Sequence, residues 1–130
     1  MMAPVWLQEK FVILAHEESL AEHGGLVGIR DQGLLESALA RPKNLLAYAE
    51  PTPSLQQIAA AYAFGIAANH PFVDGNKRTA LIACITFLKI NGIRVSADKV
   101  DSYFTFLGLA AGTVSEDELA QWLTKNSSEL

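Results

Sequence analysis

The stretch SLQQIAAAYAFGIAANHPFVDGNKRTALIACITFLKING, residues 54–92, decides the fold. Ser54 with Gln57 three positions later has the form of a capping box, in which two side chains satisfy free backbone N–H groups reciprocally. The helix it opens carries Leu55, Ile58, Ala59, Tyr62, Ala63 and Ile66 as a one-sided apolar stripe. It is predicted to end near Asn69, because Pro71 disfavours helical geometry at the residue before it. A second helix is predicted to start around Asn76 and to close at Gly92. Between Ala80 and Ile90 it is apolar almost all the way round, interrupted only by Thr86 and Lys89. A helix without a polar face is one surrounded by other helices, so this one is expected at the centre of a bundle.

Working outward, the first periodic segment runs from about Val5 to Glu22. Leu7, Phe11, Leu14 and Ala15 lie at helical spacing, and Gly24-Gly25 stops it. Asp31 then stands where a helix N-cap belongs, ahead of Leu34, Leu35, Ala38 and Leu39. Pro42 is expected to end that helix, leaving a short apolar piece, Leu45 to Ala49, before Pro51 and Pro53. Downstream, Ile93 to Ser96 reads as extended, followed by helices at roughly Asp98 to Ala110 and Glu116 to Lys125. Ser115 and Glu118 repeat the capping-box spacing. With no repeat, low-complexity tract or long linker, the expectation is a single all-α domain over residues 1–130. Its architecture is a compact bundle of about six to seven helices around a buried central helix.

Composition narrows the function. Half of the residues are hydrophobic and 18% are charged, which describes a folded globule. The net charge of −4 argues against direct nucleic-acid binding, which needs a basic face. Cys84 is the only cysteine, so no internal disulfide forms, and a reducing, cytoplasmic setting is expected. The apolar run Phe11 to Ala15 is bracketed by Glu9, Lys10, Glu17 and Glu18, too short for a signal core or a membrane span.

Chemistry concentrates at His70-Pro71-Phe72-Val73-Asp74-Gly75-Asn76-Lys77-Arg78. A loop entering a helix start gathers unpaired backbone N–H groups and the positive dipole end at one spot, which favours an anion. Gly75 lets the backbone pass close to a phosphate. Lys77 and Arg78 work against the helix dipole, a local cost that a bound polyanion removes. Asp74 offers a hard carboxylate suited to magnesium, and the His70 imidazole is able to accept a proton from an attacking hydroxyl. Phe72 is expected to anchor the loop in the core. Each residue alone has a plainer explanation: Asp74-Gly75-Asn76 is a common turn, His70 a helix end, Lys77-Arg78 a solvated face. The run as a whole does not. His16, seven residues from His23, is read as a structural hydrogen-bonding group, as is His23. Arg30 and Asp31 are expected to shape a loop and cap a helix, Cys84 to fill the core, and Trp6 and Trp122 to pack or meet a partner. Asn44 and Tyr48 are candidates for the pocket rim.

The sequence His-Pro-Phe-Val-Asp-Gly-Asn-Lys-Arg-Thr-Ala, residues 70–80, resembles the signature of the Fic superfamily, HxFx(D/E)GNGRxxR. It departs at Lys77, where the signature has glycine, and at Leu81, where it has arginine. Both departures resemble the death-on-curing (Doc) toxin branch, as do Glu22-His23-Gly24-Gly25-Leu26, Gly28-Ile29-Arg30-Asp31 and Leu34-Leu35-Glu36-Ser37-Ala38. The resemblance spans about Leu7 to Asn91. It implies that His70 deprotonates a target hydroxyl, that Asp74 holds Mg2+ on the phosphates of ATP, and that Asn76 and Arg78, with Gly75 and Lys77, bind phosphate.

Most of the superfamily transfers AMP. The branch with these departures implies transfer of the γ-phosphate to elongation factor Tu by a toxin held in check by an antitoxin protein. A lysine at 77 fills space where a glycine backbone would cradle the β- and γ-phosphates, so the nucleotide would bind the other way round. No glutamate in the chain is followed by Gly or Asn, so the inhibitory pattern [S/T]xxxE[G/N] of many Fic enzymes is missing. Two alternatives stand beside this reading: a Fic-type AMP-transferase, and a catalytically silent partner in an antitoxin–DNA repressor complex.

Overall fold

Among the described residues four of the six helices begin at a side-chain cap, and the first begins at Glu9 rather than at Val5. A computed structural model describes residues 3–130. The elements follow as α1 (Glu9–His23), α2 (Gln32–Tyr48), α3 (Leu55–Asn69), α4 (Asn76–Ile90), β1 (Ile93–Val95), α5 (Lys99–Ala111), α6 (Glu116–Lys125) and β2 (Ser127–Glu129). Both capping boxes form, at Ser54 with Gln57 and at Ser115 with Glu118, and the Asp31 and Asp98 carboxylates accept backbone N–H groups at the starts of α2 and α5. Six helices carry the all-α fold among the described residues. The extended segment after α4 pairs antiparallel with the chain end, Arg94 opposite Ser128. No helix of the described residues is long and apolar enough to cross a membrane.

The centre of the bundle is α3, not α4 as the apolar run of α4 suggested. Residues 58–63 and 65–67 of α3 are buried in unbroken runs, packed against α2, α4, α5 and α6. Its many alanines are small enough to admit a neighbour on every side. In α4, by contrast, Leu81, Ile82 and Ile85 are only half-buried, and Ile90 is 45% exposed. The crossing of α2 over α3 is close at Gly65. A Cβ there would lie 3.1 Å from both the Cα and the carbonyl oxygen of Ala38.

That contact also explains Pro42, which was expected to end α2 but lies inside it, buried. Proline removes the N–H that would bond to Ala38 O, and the carbonyl so released is the one packed against Gly65. The piece Leu45 to Ala49 is therefore mostly the last turns of α2 rather than a separate element.

The buried face of α1 also differs from the expected stripe. Val12, His16, Ser19 and Leu20 point inward, whereas Phe11 is 37% and Leu14 53% exposed. Leu7 is buried ahead of the helix, with its N–H donated to the Tyr62 hydroxyl at 3.1 Å. Trp6 stacks on Phe87, and Trp122 donates to Asp101 while its ring edges Phe106. Cys84 is core: its thiol is fully buried, and burial pushes its pKa up, so the reactive thiolate is suppressed.

The α2–α3 crossing makes a testable demand. Alanine is a better helix former than glycine by about 1 kcal/mol, yet Gly65→Ala presses a methyl on backbone that has no side chain to swing away. The variant is expected to be less stable by about 1–3 kcal/mol in urea unfolding. A stabilised Gly65→Ala protein would contradict the crossing.

Candidate active site

The site is built from the break between α3 and α4. His70 caps α3 in the left-handed conformation, φ 49° and ψ 56°, with its N–H bonded to Ile66 O. It is the single non-glycine residue with positive φ among the described residues, a conformation that costs most L-residues about 1–2 kcal/mol. After Pro71 the chain turns Phe72 into the core, where it is fully buried. The Asn76 side chain holds that turn. Its Oδ1 accepts from Phe72 N and its Nδ2 donates to Phe72 O, both at 3.0 Å. Gly75 then caps α4 at φ 75°. A Cβ there would lie 3.1 Å from Leu20 and 3.6 Å from the His16 ring, so both conformation and space call for glycine.

Two supports fix the loop from α1 and from the segment after it. His16 donates from Nε2 to Asp74 O at 2.7 Å, and its ring stacks on Phe72 with centroids 3.8 Å apart. The structural role expected of His16 is thus specific: it braces the turn from below. Residues 28–31 lie along the loop. Val73 N donates to Gly28 O, and the N–H groups of Arg30 and Asp31 both reach Pro71 O. Arg30 also donates to His70 O and Asn69 O at 2.7 and 2.8 Å. The Asp74 carboxylate accepts from Gly75 N at 2.9 Å and from Leu26 N at 3.2 Å, with Gly25 close enough that a Cβ would sit 3.0 Å from Oδ2.

These residues open on a pocket of about 550 Å³. His70 and residues 73–78 form its polar wall; Leu81 of α4 and Tyr103, Phe106 and Leu107 of α5 form the apolar one. Because Gly75 has no side chain to cap α4, the first-turn N–H groups of Asn76, Lys77 and Arg78 lack an intrahelical acceptor. The uncapped helix end, Lys77 and Arg78 together suit a polyanion. Asn76 is 8% exposed, and its Oδ1 and one of its two Nδ2 hydrogens are engaged by Phe72; its backbone N–H is a further donor at the helix start.

The donor set also suits magnesium in one particular way. Among the described residues no group of three or more His, Cys, Asp or Glu side chains could form a protein cage for a metal. Magnesium, however, is commonly held by one or two carboxylates together with substrate phosphates and water. Asp74 retains lone pairs beyond its two N–H bonds for that purpose.

His70, Asp74, Gly75, Asn76, Lys77 and Arg78 are therefore brought together at one opening. Asn44 and Tyr48 are not. They line a separate depression between α2, α3 and α6, on a different part of the surface from the rim expected for them. His23, read as structural, is exposed at the pocket edge instead, 3.9 Å from Glu22. Ser102 and Tyr103 of the opposite wall carried no local motif that would single them out.

Replacing His16 with phenylalanine keeps the stacking and deletes the donor to Asp74 O. His16→Phe is expected to lose about 1–3 kcal/mol, the cost of an unsatisfied acceptor in a part-buried site. Hydrogen exchange across residues 72–76 should speed up, and unchanged exchange there would deny the brace its role.

A family model described as Fic/DOC family matches residues 6–88. The chain is 48% identical over 75 residues to Toxin Doc of Mycolicibacterium smegmatis, a match covering 58% of this chain and 58% of that protein. It is 34% identical over 114 residues to Protein kinase doc of Escherichia phage P1, covering 88% of this chain and 89% of that protein. The family match takes in α1, the loop after it and nearly all of α4, the segments that make the polar wall of the pocket. The chain belongs to the Fic/DOC family.

Proposed function

We propose that this chain is the toxin of a toxin–antitoxin pair, which transfers the γ-phosphate of ATP to a hydroxyl of elongation factor Tu and so halts translation in the cytoplasm. The observation that carries the reading is the uncapped start of α4, which opens into the same pocket as His70 and Asp74. An anion-binding helix end, a proton acceptor and a metal-ligating carboxylate at one mouth are the parts that phosphoryl transfer to a hydroxyl requires. The names of the two relatives, one a toxin and one a protein kinase, agree with it.

In this reading the phosphates lie on the N–H groups of residues 76–78 with Lys77 and Arg78 beside them. His70 takes the proton of the target hydroxyl as its oxygen bonds to the γ-phosphorus. The bond from that phosphorus to the β,γ-bridging oxygen breaks, and ADP leaves. Asp74 is the residue that would hold magnesium, which when bound neutralises charge on the phosphates. Lys77 and Leu81 both line the pocket. A lysine where the superfamily has glycine, and an uncharged side chain where it has a phosphate-binding arginine, favour presenting the γ-phosphate rather than the α-phosphate. A separately encoded antitoxin supplies the restraint that the chain lacks in itself.

Incubating the protein with cell extract and ATP labelled separately at the α- and γ-phosphates tests the reading. Label from the γ position is expected on one translation factor, as a mass gain of one phosphate. Label from the α position alone would make the chain an AMP-transferase, and label from neither would favour the silent partner. His70→Ala is expected to slow transfer by about 10²–10⁴-fold and, like Asp74→Ala, to make expression harmless to the host.

A further inference from the structure

We infer that Arg30 is a positioning residue for His70, holding the left-handed turn from which His70 faces the pocket. The inference rests on the proposed role of His70 as proton acceptor, but the grip itself is geometric. Arg30 engages three successive carbonyls of the catalytic loop. Its Nε donates to His70 O at 2.7 Å, its Nη2 to Asn69 O at 2.8 Å, and its backbone N–H to Pro71 O at 2.7 Å.

The need for such a grip follows from the end of α3. The last carbonyls of a helix have no intrahelical donor, and the residue that turns the chain away in the left-handed region is usually glycine. Here that position is His70. A side chain held in a sparsely populated backbone region persists where its surroundings over-determine it. The planar guanidinium fork has donors at fixed angles, so two adjacent carbonyls bound by one fork cannot rotate independently. The grip is also anchored. Asp31, next in the chain, accepts Leu34 N at 3.0 Å as the cap of α2, and Asn69 Nδ2 donates to Leu34 O at 3.1 Å. The first turn of α2 therefore holds both Arg30 and the end of α3 in a common frame.

Arg30 does not touch the phosphate cradle. It is exposed and absent from the pocket lining and the hydrophobic core. Its loss should therefore misplace the imidazole while leaving both nucleotide binding and the core intact. An alternative in which Arg30 only caps α3 predicts a change in stability with no separate change in turnover.

The test compares Arg30→Ala, Arg30→Gln and Arg30→Lys in the full chain. The readings are kcat for γ-phosphate transfer, KM for ATP, thermal melting, and NMR backbone shifts of residues 69–73. For Arg30→Ala, kcat is expected to fall about tenfold to a hundredfold with KM unchanged, while the His70 shifts leave the left-handed range. Arg30→Lys, a single-point donor without the fork, should recover part of kcat, and Arg30→Gln less. Full kcat in Arg30→Ala, or a loss confined to KM or to melting, overturns the inference. Should Arg30→Ala not fold, full kcat in a folded Arg30→Gln does the same, and a reduced kcat with unchanged KM upholds it. If the wild-type protein transfers nothing from ATP, the functional reading fails on its own. The shifts of His70 in the variants then decide the grip: displaced supports it, unmoved overturns it.

Discussion

Two hydrogen bonds between the Asn76 side chain and the peptide of Phe72 set the geometry on which the site depends. A loop that dips into a core brings polar backbone with it, and that backbone must be paired. Asn76 satisfies the N–H and the carbonyl of the one residue whose ring goes inside, so Phe72 is free to bury itself against His16. With Phe72 pinned, His70 and Asp74, two residues to either side, are turned outward. His70 lies before it at the end of α3, and Asp74 lies after it at the start of α4. The placement of imidazole and carboxylate on one mouth is thus a consequence of an apolar anchor between them.

The start of α4 is, by local rules, poorly made. It has a glycine cap without a side-chain acceptor, no acidic residue in its first turn, and two cations there instead. A glycine cap costs about a few tenths of a kcal/mol relative to Ser or Asp, and each adverse charge about 0.3–1 kcal/mol more. The helix tolerates this because its stability comes from burial. Thr79, Ala80, Ala83, Cys84, Phe87 and Leu88 are inside, against a central helix whose own small residues let α4 come close. The same N–H groups that an ordinary cap would satisfy are left for a ligand. A polyanion there would supply the missing acceptors and reverse the sign of the charge penalty together.

Local signals in the chain were legible and distant ones were not. Ser54, Ser115 and Asp31 announce helix starts because a cap bonds to a backbone group three residues away. The run from His70 to Arg78 is contiguous, so its members are seen together. Pro42 was misjudged because what makes it tolerable is Gly65, on another helix. The inward face of α1 differs from the apolar stripe because Phe11 and Leu14 are the more hydrophobic residues, while His16 is what the loop accepts beneath it. Counting large apolar residues pointed to α4 as the centre, whereas alanine's small volume made α3 the helix that could be surrounded. Asn76 carried a further ambiguity: a side-chain amide serves a phosphate or a peptide equally well, and the fold shows this one holding the peptide of Phe72.

The segment between α1 and α2 ties these observations to the chemistry. Leu26 N–H reaches the Asp74 carboxylate, Gly28 O takes Val73 N–H, and Arg30 holds the carbonyls before and after the left-handed turn. One short stretch therefore touches the Asp74 carboxylate, the His70 carbonyl and the backbone between them. Gly25 and Gly28, at φ 130° and 131°, let it lie flat against the loop in conformations other residues rarely adopt. Since α1 also supplies His16 beneath Asp74, the continuous segment from His16 to Asp31 acts as a cradle for the loop between α3 and α4. The spacing of imidazole and carboxylate is then held by this second segment as well as by the loop's own Asn76–Phe72 bonds. A loop that must carry a left-handed histidine and an uncapped helix start needs that external template.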